Sequence, residues 1–99
     1  MKKLLLATAL IAGSVTAASA GPIERACNQS ARAGGNRALC GCIQQAADRT
    51  LTSRDQTRAA GFFTDPHEAQ EVRQSDRRSD EEFWQRYKHF GATAEAYCS

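Results

Sequence analysis

The sequence has 99 residues, of which 41% are hydrophobic, with 13 Lys and Arg, 11 Asp and Glu, and four cysteines. This length allows at most one small domain. Residues 1–20 read as an export signal, because two lysines precede an apolar run that ends in the small-residue triplet Ala18-Ser19-Ala20. We predict cleavage between Ala20 and Gly21, and a single helical domain over residues 21–99.

The charge of the mature chain excludes some classes of function. Cleavage would remove both signal lysines, so the mature chain would have 11 basic and 11 acidic residues. A chain without an excess of Lys and Arg is not expected to bind nucleic acid. No apolar run after Ala20 approaches the roughly 20 residues that a membrane-spanning helix needs. We therefore predict a soluble periplasmic or secreted protein with no membrane span in its mature part.

Capping residues predict the first two helices of the mature chain. Pro22 suits the first turn of a helix through about Arg32, and Gly34 is placed to end it in a left-handed conformation. Asn36 can cap a second helix through about Thr50. One apolar stripe follows this second helix: Leu39, Ile43, Ala46 and Thr50.

Two more helices begin with residues typical of helix N-termini. The pattern Ser53-x-x-Gln56 has the spacing of a capping box and predicts a third helix toward Phe63. The dipeptide Asp65-Pro66 predicts the start of a fourth helix, which runs to about Gln74.

The last and longest helix is predicted from Asp80 to about Tyr97, opened by a capping box at Ser79-x-x-Glu82. Glu82 is also spaced to pair with Arg86. Gly91 predicts a kink or a close approach of another backbone. Side chains recurring every three or four residues predict the main core stripe, with Trp84 at its edge: Phe83, Tyr87, Phe90, Ala94 and Tyr97.

No segment of the mature chain alternates apolar and polar residues over enough positions to predict a strand. We therefore predict an all-α bundle of four or five helices, stapled by disulfides. Few large apolar side chains are available for its core, and they are Ile23, Leu39, Ile43, Leu51, Phe62, Phe63, Val72, Phe83, Trp84, Tyr87, Phe90 and Tyr97.

All four cysteines, Cys27, Cys40, Cys42 and Cys98, lie in the mature part, and an oxidising compartment predicts two disulfides. A bridge between Cys40 and Cys42 is disfavoured, because helix positions two apart point about 200° from each other. Cys27 then pairs with one of them and Cys98 with the other. A hairpin turn at Gly34-Gly35 would place residue 27 opposite residue 42, which favours Cys27–Cys42 and Cys40–Cys98.

The residues that could carry out redox, metal or acid-base chemistry each have a simpler structural explanation. The Cys40-Gly41-Cys42 pair has the proximity of a redox pair, but the middle of a helix does not lower a thiol pKa as a helix N-terminus does. We expect neither His67 nor His89 to have a partner at metal-ligand spacing, so we predict surface histidines and no metal. The acidic run Asp80-Glu81-Glu82 suits a helix N-terminus better than catalysis. We predict no catalytic residues and no cofactor.

The basic residues of the mature chain are almost all arginine, with Lys88 as the exception. The stretch from Arg73 to Asp80 mixes charges closely, which is typical of a solvated ion-pair network. The stretch from Trp84 to Phe90 interleaves aromatic and basic residues, and on a helix this predicts a core face and a solvated face. An anionic partner becomes plausible if both stretches fold onto one surface.

Four segments carry a resemblance to a group of short exported proteins of Gram-negative bacteria: Gly21-Pro22-Ile23-Glu24-Arg25-Ala26-Cys27, Arg37-Ala38-Leu39-Cys40-Gly41-Cys42-Ile43-Gln44, Phe63-Thr64-Asp65-Pro66-His67 and Phe90-Gly91-Ala92-Thr93-Ala94-Glu95-Ala96-Tyr97-Cys98. The resemblance spans essentially the whole chain, and some members carry the label "arginine transporter". A soluble product of this length cannot form a translocation path alone, so the resemblance implies at most an accessory or ligand-binding component. Binding a guanidinium needs a pocket carboxylate, and the sequence predicts no inward acidic residue.

The function that these patterns favour is a non-enzymatic interaction or accessory module of the bacterial envelope, whose partner is an envelope protein or a small ligand. Two alternatives remain. One is a soluble accessory component of arginine or amino-acid transport, and the other is a thiol-disulfide redox protein that uses the Cys40-Gly41-Cys42 pair.

Overall fold

The computed structural model describes residues 21–30 and 36–98. The predicted signal peptide and the predicted turn at Gly34-Gly35 lie outside these residues. The described part is all α and stapled by two disulfides, as predicted, with no strand among its residues. Its helices are α1 (Pro22–Gln29), α2 (Arg37–Thr50), α3 (Ser53–Thr64), α4 (Pro66–Arg73) and α5 (Arg78–Tyr97).

Side-chain caps determine where α2 and α3 begin. The Asn36 side chain accepts a hydrogen bond from the Leu39 N–H at 3.0 Å, as the sequence predicts. The capping box of α3 lies one residue earlier than predicted. Thr52 Oγ1 accepts from the Asp55 N–H at 3.1 Å, and the Asp55 carboxylate accepts from the Thr52 N–H at 3.4 Å. Leu51, buried just before this cap, fixes where the chain enters α3.

Three other predicted helix ends differ from the structure. Helix α1 ends at Gln29, three residues before the predicted end, and Ser30 follows it in an extended conformation. Asp65 precedes α4 but makes no side-chain cap bond. Helix α5 begins at Arg78, so Ser79 lies inside its first turn and the predicted capping box does not form.

The core lies where the aromatic stripe of α5 meets α3. Phe83 is 2% exposed and packs edge-on against Phe62, with ring centroids 6.0 Å apart. Tyr87 also contacts Phe62 edge-on, at 5.2 Å. The core cluster of buried residues is Ile23, Ala46, Ala47, Leu51, Ala59, Phe62, Val72, Phe83 and Phe90. Tyr87 and Ala94 pack against this cluster, so the predicted stripe is confirmed from Phe83 to Ala94.

The end of α5 departs from the prediction. Tyr97 is 71% exposed and does not belong to the core. Gly91 has no close neighbour, since a Cβ placed there would meet no other heavy atom within 4 Å, and the helix continues through it. The last turn of α5 therefore extends beyond the core, which Ala94 still contacts.

The disulfides join Cys27 to Cys40 and Cys42 to Cys98, so the predicted pairing is wrong. The prediction assumed a hairpin symmetric about Gly34-Gly35, whereas α1 ends early at Gln29. Cys40 instead lies on the buried face of α2 that it shares with Gln44 and Ala47, at spacings of four and three residues. Cys42 points about 200° away from Cys40 on the helix, toward the end of α5.

A buried glutamine network ties α1 to α2 and α3. Gln44 Oε1 accepts a hydrogen bond from the backbone N–H of Glu24 at 2.8 Å, which satisfies a donor in the first turn of α1. Gln44 Nε2 donates to Gln56 Oε1 at 2.7 Å and to Asp48 Oδ1 at 2.8 Å. The start of α1 is therefore fixed by hydrogen bonds to residues far along the sequence.

Gly21→Ala is expected to destabilise the domain by about 1 kcal/mol, the usual value of one hydrogen bond. An alanine Cβ there would lie 2.6 Å from the Gln44 side-chain amide, which cannot move without breaking its hydrogen bonds. Urea unfolding of a protein that comprises residues 21–99 measures the effect. Gly91→Ala is the matched control, and it should stabilise α5 by up to about 1 kcal/mol because no atom obstructs the new methyl group. Equal losses in both variants would contradict this assignment.

Candidate binding groove

A surface depression of about 450 Å³ lies beside the start of α5, and we call it the groove. Its walls come from the end of α4, from the connection between α4 and α5, and from the first two turns of α5. The lining residues are Arg73, Ser75, Glu81, Glu82, Trp84 and Gln85.

Helix periodicity explains why these α5 residues line a groove. Asp80 and Phe83 are buried against the rest of the bundle, which turns Glu81, Glu82 and Gln85 outward. Arg58 of α3 stabilises this rotation of α5 about its axis. Its Nη2 lies 2.7 Å from Asp80 Oδ1, and its guanidinium lies 4.7 Å from the Phe83 ring centroid.

A second ion pair fixes α5 on α3. Arg86 Nε and Nη2 donate to the two carboxylate oxygens of Asp55 at 2.7 and 3.0 Å, a bidentate geometry. The predicted partner of Arg86, Glu82, makes no salt bridge with it and lines the groove instead. The expectation that no acidic residue points inward is wrong, because Asp55 and Asp80 are 5% and 7% exposed. Each is buried against an arginine from another helix, a pairing that local spacing does not reveal.

Ion pairing perturbs the titration of these groups. Hydrogen bonding from Arg86 is the main cause that lowers the pKa of Asp55, and it outweighs the opposing effect of burial. The pKa of Asp80 is lowered by a hydrogen bond from the Ser75 hydroxyl and then by Arg58. Desolvation raises the pKa of Tyr87. Both carboxylates therefore stay ionised in the folded state to lower pH than in the unfolded chain.

The domain is expected to lose stability in acid. Asp55 and Asp80 have pKa values below 3.8 when folded and near 3.8 when unfolded, so the unfolded state binds protons first. The stabilisation is complete at neutral pH and falls as the pH drops through 3.8 toward the lowered folded values. Urea midpoints measured across this range test the expectation. Asp55→Asn should flatten the dependence, and an unchanged slope in that variant would contradict the assigned role of Asp55.

Trp84 gives the groove its apolar element. The indole stacks on Tyr87 at 5.0 Å between ring centroids, packs against the core and remains partly exposed. Glu81 and Glu82 add negative charge beside it, and Arg73, which donates to Gln70 at 2.8 Å, adds positive charge. An aromatic surface flanked by both charges suits a ligand or peptide that carries an ammonium or guanidinium group together with a carboxylate.

The four cysteines lie in two different environments. Cys27 and Cys40 are 0% exposed, whereas Cys42 and Cys98 are partly exposed. Cys40 and Cys42 belong to different disulfides, and no described cysteine is free. A second cavity, of about 240 Å³, lies next to the partly exposed bridge and is lined by Cys42, Gln45, Ala46, Arg49, Thr93 and Tyr97.

The remaining predicted candidates lie apart from one another. His67 Nε2 lies 3.5 Å from Glu71 Oε2, four residues further along α4, so the expectation that His67 has no partner at this spacing is wrong. Both His67 and His89 are exposed, as predicted. Across residues 21–30 and 36–98, no group of three His, Cys, Asp or Glu side chains could hold a metal ion. Asp80 and Glu81 lie in the first turn of α5, as predicted. Gly21 lies at the start of α1, and its predicted cleavage partner Ala20 is outside the described residues.

No family model matches this chain, and no curated protein or solved structure is significantly similar to it. Among the described helices, none is both long enough and apolar enough to cross a membrane. The groove and the disulfides are therefore the features on which a functional proposal rests.

Proposed function

We propose that this protein is an exported, non-enzymatic interaction module of the bacterial envelope, and that it binds its partner through the groove. The observation that carries the proposal is the partly exposed Trp84 set among charges of both signs. Tryptophan and arginine are the residue types that most often dominate binding energy at protein interfaces. The two disulfides support residence in an oxidising compartment.

The way the groove is built also supports this role. Two ion pairs and the Phe83 contacts hold α5 on α3, so the groove residues project from a fixed helix. A binding surface that is ordered before the partner arrives loses less conformational entropy on association. Trp84 adds to this preorganisation because Tyr87 supports one face of its indole.

Site-specific photocrosslinking in a Gram-negative host tests the proposal. A photoreactive residue at Gln85, which is exposed and lines the groove, is expected to capture a defined envelope partner. The matched control is the same residue at Gln29, which is exposed on α1 and lines neither cavity. Trp84→Ala should abolish the Gln85 crosslink. Equal crosslinking from both positions, or none from Gln85, would contradict a binding role for the groove.

A second candidate is an accessory protein that binds arginine for amino-acid transport. The groove favours it specifically, because Glu81 and Glu82 could receive a guanidinium group over Trp84 while Arg73 receives the carboxylate. The two buried carboxylates are not available for this purpose, since Asp55 and Asp80 already bind arginines of the protein itself.

Calorimetry with L-arginine tests the second candidate. We expect saturable heat that Glu82→Gln weakens and Trp84→Ala removes, with agmatine, which lacks the carboxylate, binding more weakly than arginine. Glu95→Gln is the control, because Glu95 is exposed on α5 outside the groove. No heat at millimolar arginine would exclude this candidate and leave the interaction module unaffected.

A further inference from the structure

We propose that the Cys42–Cys98 disulfide is a thiol-exchange site that an external dithiol reduces in the folded protein, while the Cys27–Cys40 disulfide remains closed. This inference goes beyond binding at the groove and does not depend on it. It also differs from a redox pair formed by Cys40 and Cys42, because those two residues belong to separate bridges.

The two bridges differ in their access to solvent. Cys27 and Cys40 are 0% exposed, so an attacking thiolate reaches them only after the domain opens. Cys42 and Cys98 are both partly exposed, and Cys42 also lines the 240 Å³ cavity between α2 and the end of α5. An external thiol can therefore approach the second bridge without unfolding the protein.

The surroundings of the second bridge favour exchange. Arg49 lines the same cavity as Cys42, and its guanidinium lies 5.9 Å from the ring of Tyr97, the neighbour of Cys98. A positive charge on this side of the bridge stabilises a departing thiolate and so speeds disulfide cleavage, and it offsets the Tyr97 carbonyl oxygen, which lies 3.4 Å from Cys42 Sγ. Glu95 is the acidic residue of the last α5 turns, and it is exposed and does not line this cavity.

The reaction balances with a dithiol as the reductant. One thiolate of the dithiol attacks Cys98 Sγ, the bond between the two cysteines breaks, and Cys42 leaves as a thiolate that takes a proton from water. The second thiol of the reductant then loses its proton and attacks the mixed disulfide. Cys98 leaves and is protonated in turn. The bridge gains two electrons and two protons, and the dithiol becomes a cyclic disulfide.

Reduction of this bridge is expected to change the structure of the end of α5 and to leave the aromatic core unchanged. The last turn holds the exposed Tyr97, and the Cys98 N–H closes this turn with a hydrogen bond to the Ala94 oxygen at 2.8 Å. The buried stripe of α5 ends at Phe90. Reduction is therefore expected to free the chain from about Ala94 onward and to widen the 240 Å³ cavity, while the aromatic core stays packed.

Timed alkylation of the oxidised mature protein in dithiothreitol tests the proposal. Trypsin places Cys27 in the peptide of residues 26–32 and Cys98 in the peptide of residues 89–99, so mass spectrometry reports each bridge separately. We expect Cys98 to be labelled at least about tenfold faster than Cys27. Urea below the unfolding transition should accelerate Cys27 labelling and leave Cys98 labelling nearly unchanged. Equal rates, or equal urea dependence, would overturn the proposal.

Arg49→Gln tests the role of the local charge. This variant should slow Cys98 labelling severalfold, whereas Arg54→Gln, on the exposed surface of α3 and outside the cavity, should leave the rate unchanged. Hydrogen exchange in the Cys42→Ser/Cys98→Ser variant should increase only after about residue 93. If that variant fails to fold, the labelling rates of the wild-type protein still decide whether the bridge opens locally.

Discussion

Complete reduction of both disulfides is expected to lower the melting temperature of the helical domain steeply. The bridges close loops with sequence separations of 13 and 56 residues. In the chain-entropy model these cross-links stabilise the folded state by about 3 and about 4 kcal/mol. Small domains are stable by only about 5 to 15 kcal/mol in total, so the loss of both bridges removes between about half and all of the free energy of unfolding.

Circular dichroism melts with and without reductant measure this effect. Cys42→Ser/Cys98→Ser, which keeps the buried bridge, should melt between the fully oxidised and fully reduced forms. Alkylation after reduction keeps the thiols from reoxidising during the scan. An unchanged melting temperature in excess reductant would show that the cysteines do not hold the fold together.

Arg86→Met is expected to destabilise the domain by about 2 kcal/mol, as the loss of a charged hydrogen bond to a buried group does. Methionine keeps an apolar stem but leaves the Asp55 carboxylate, 5% exposed, with only the Thr52 cap as a partner. The guanidinium itself is partly solvated, since the Arg86 side chain is 44% exposed. The larger cost therefore falls on the carboxylate that remains buried.

A double-mutant cycle separates this pairing from general damage to α5. Asp55→Asn combined with Arg86→Met should recover part of the lost stability, because an amide carries no unpaired charge. Arg54→Met, on an exposed position of α3, should leave the unfolding free energy within about 0.5 kcal/mol of wild type. Strictly additive losses in the double variant would mean that the two side chains do not stabilise the fold as a pair.

The sequence predicted the helices well, because helix periodicity and caps are local. Asn36 begins α2 as expected, and Phe83 and Phe90 are buried as the stripe on α5 indicated. The capping predictions at Ser53 and Ser79 were wrong by one or two positions. Several neighbouring residues can each cap a helix, so the choice depends on where the preceding chain packs. Leu51, buried before α3, illustrates this dependence.

The candidate site was only partly predictable. The sequence singled out the charged stretch from Arg73 to Asp80 and the aromatic stretch from Trp84, but it did not predict that they form one groove. The ion pairs that hold α5 beside it join residues 22 and 31 positions apart. A pattern of alternating arginines and acidic residues does not reveal which pairs meet across two helices, so the inward carboxylates were missed.

By itself, the sequence determined the all-α class, the order of the helices and the use of all four cysteines in bridges, since these follow from residue types and from spacing within one helix. The tertiary structure alone decided that Cys27 joins Cys40, that Tyr97 stays outside the core, and that Asp55 and Asp80 bind arginines of other helices. These outcomes depend on the relative rotation and offset of whole helices. Packing of all the side chains together sets that rotation, and no local pattern encodes it.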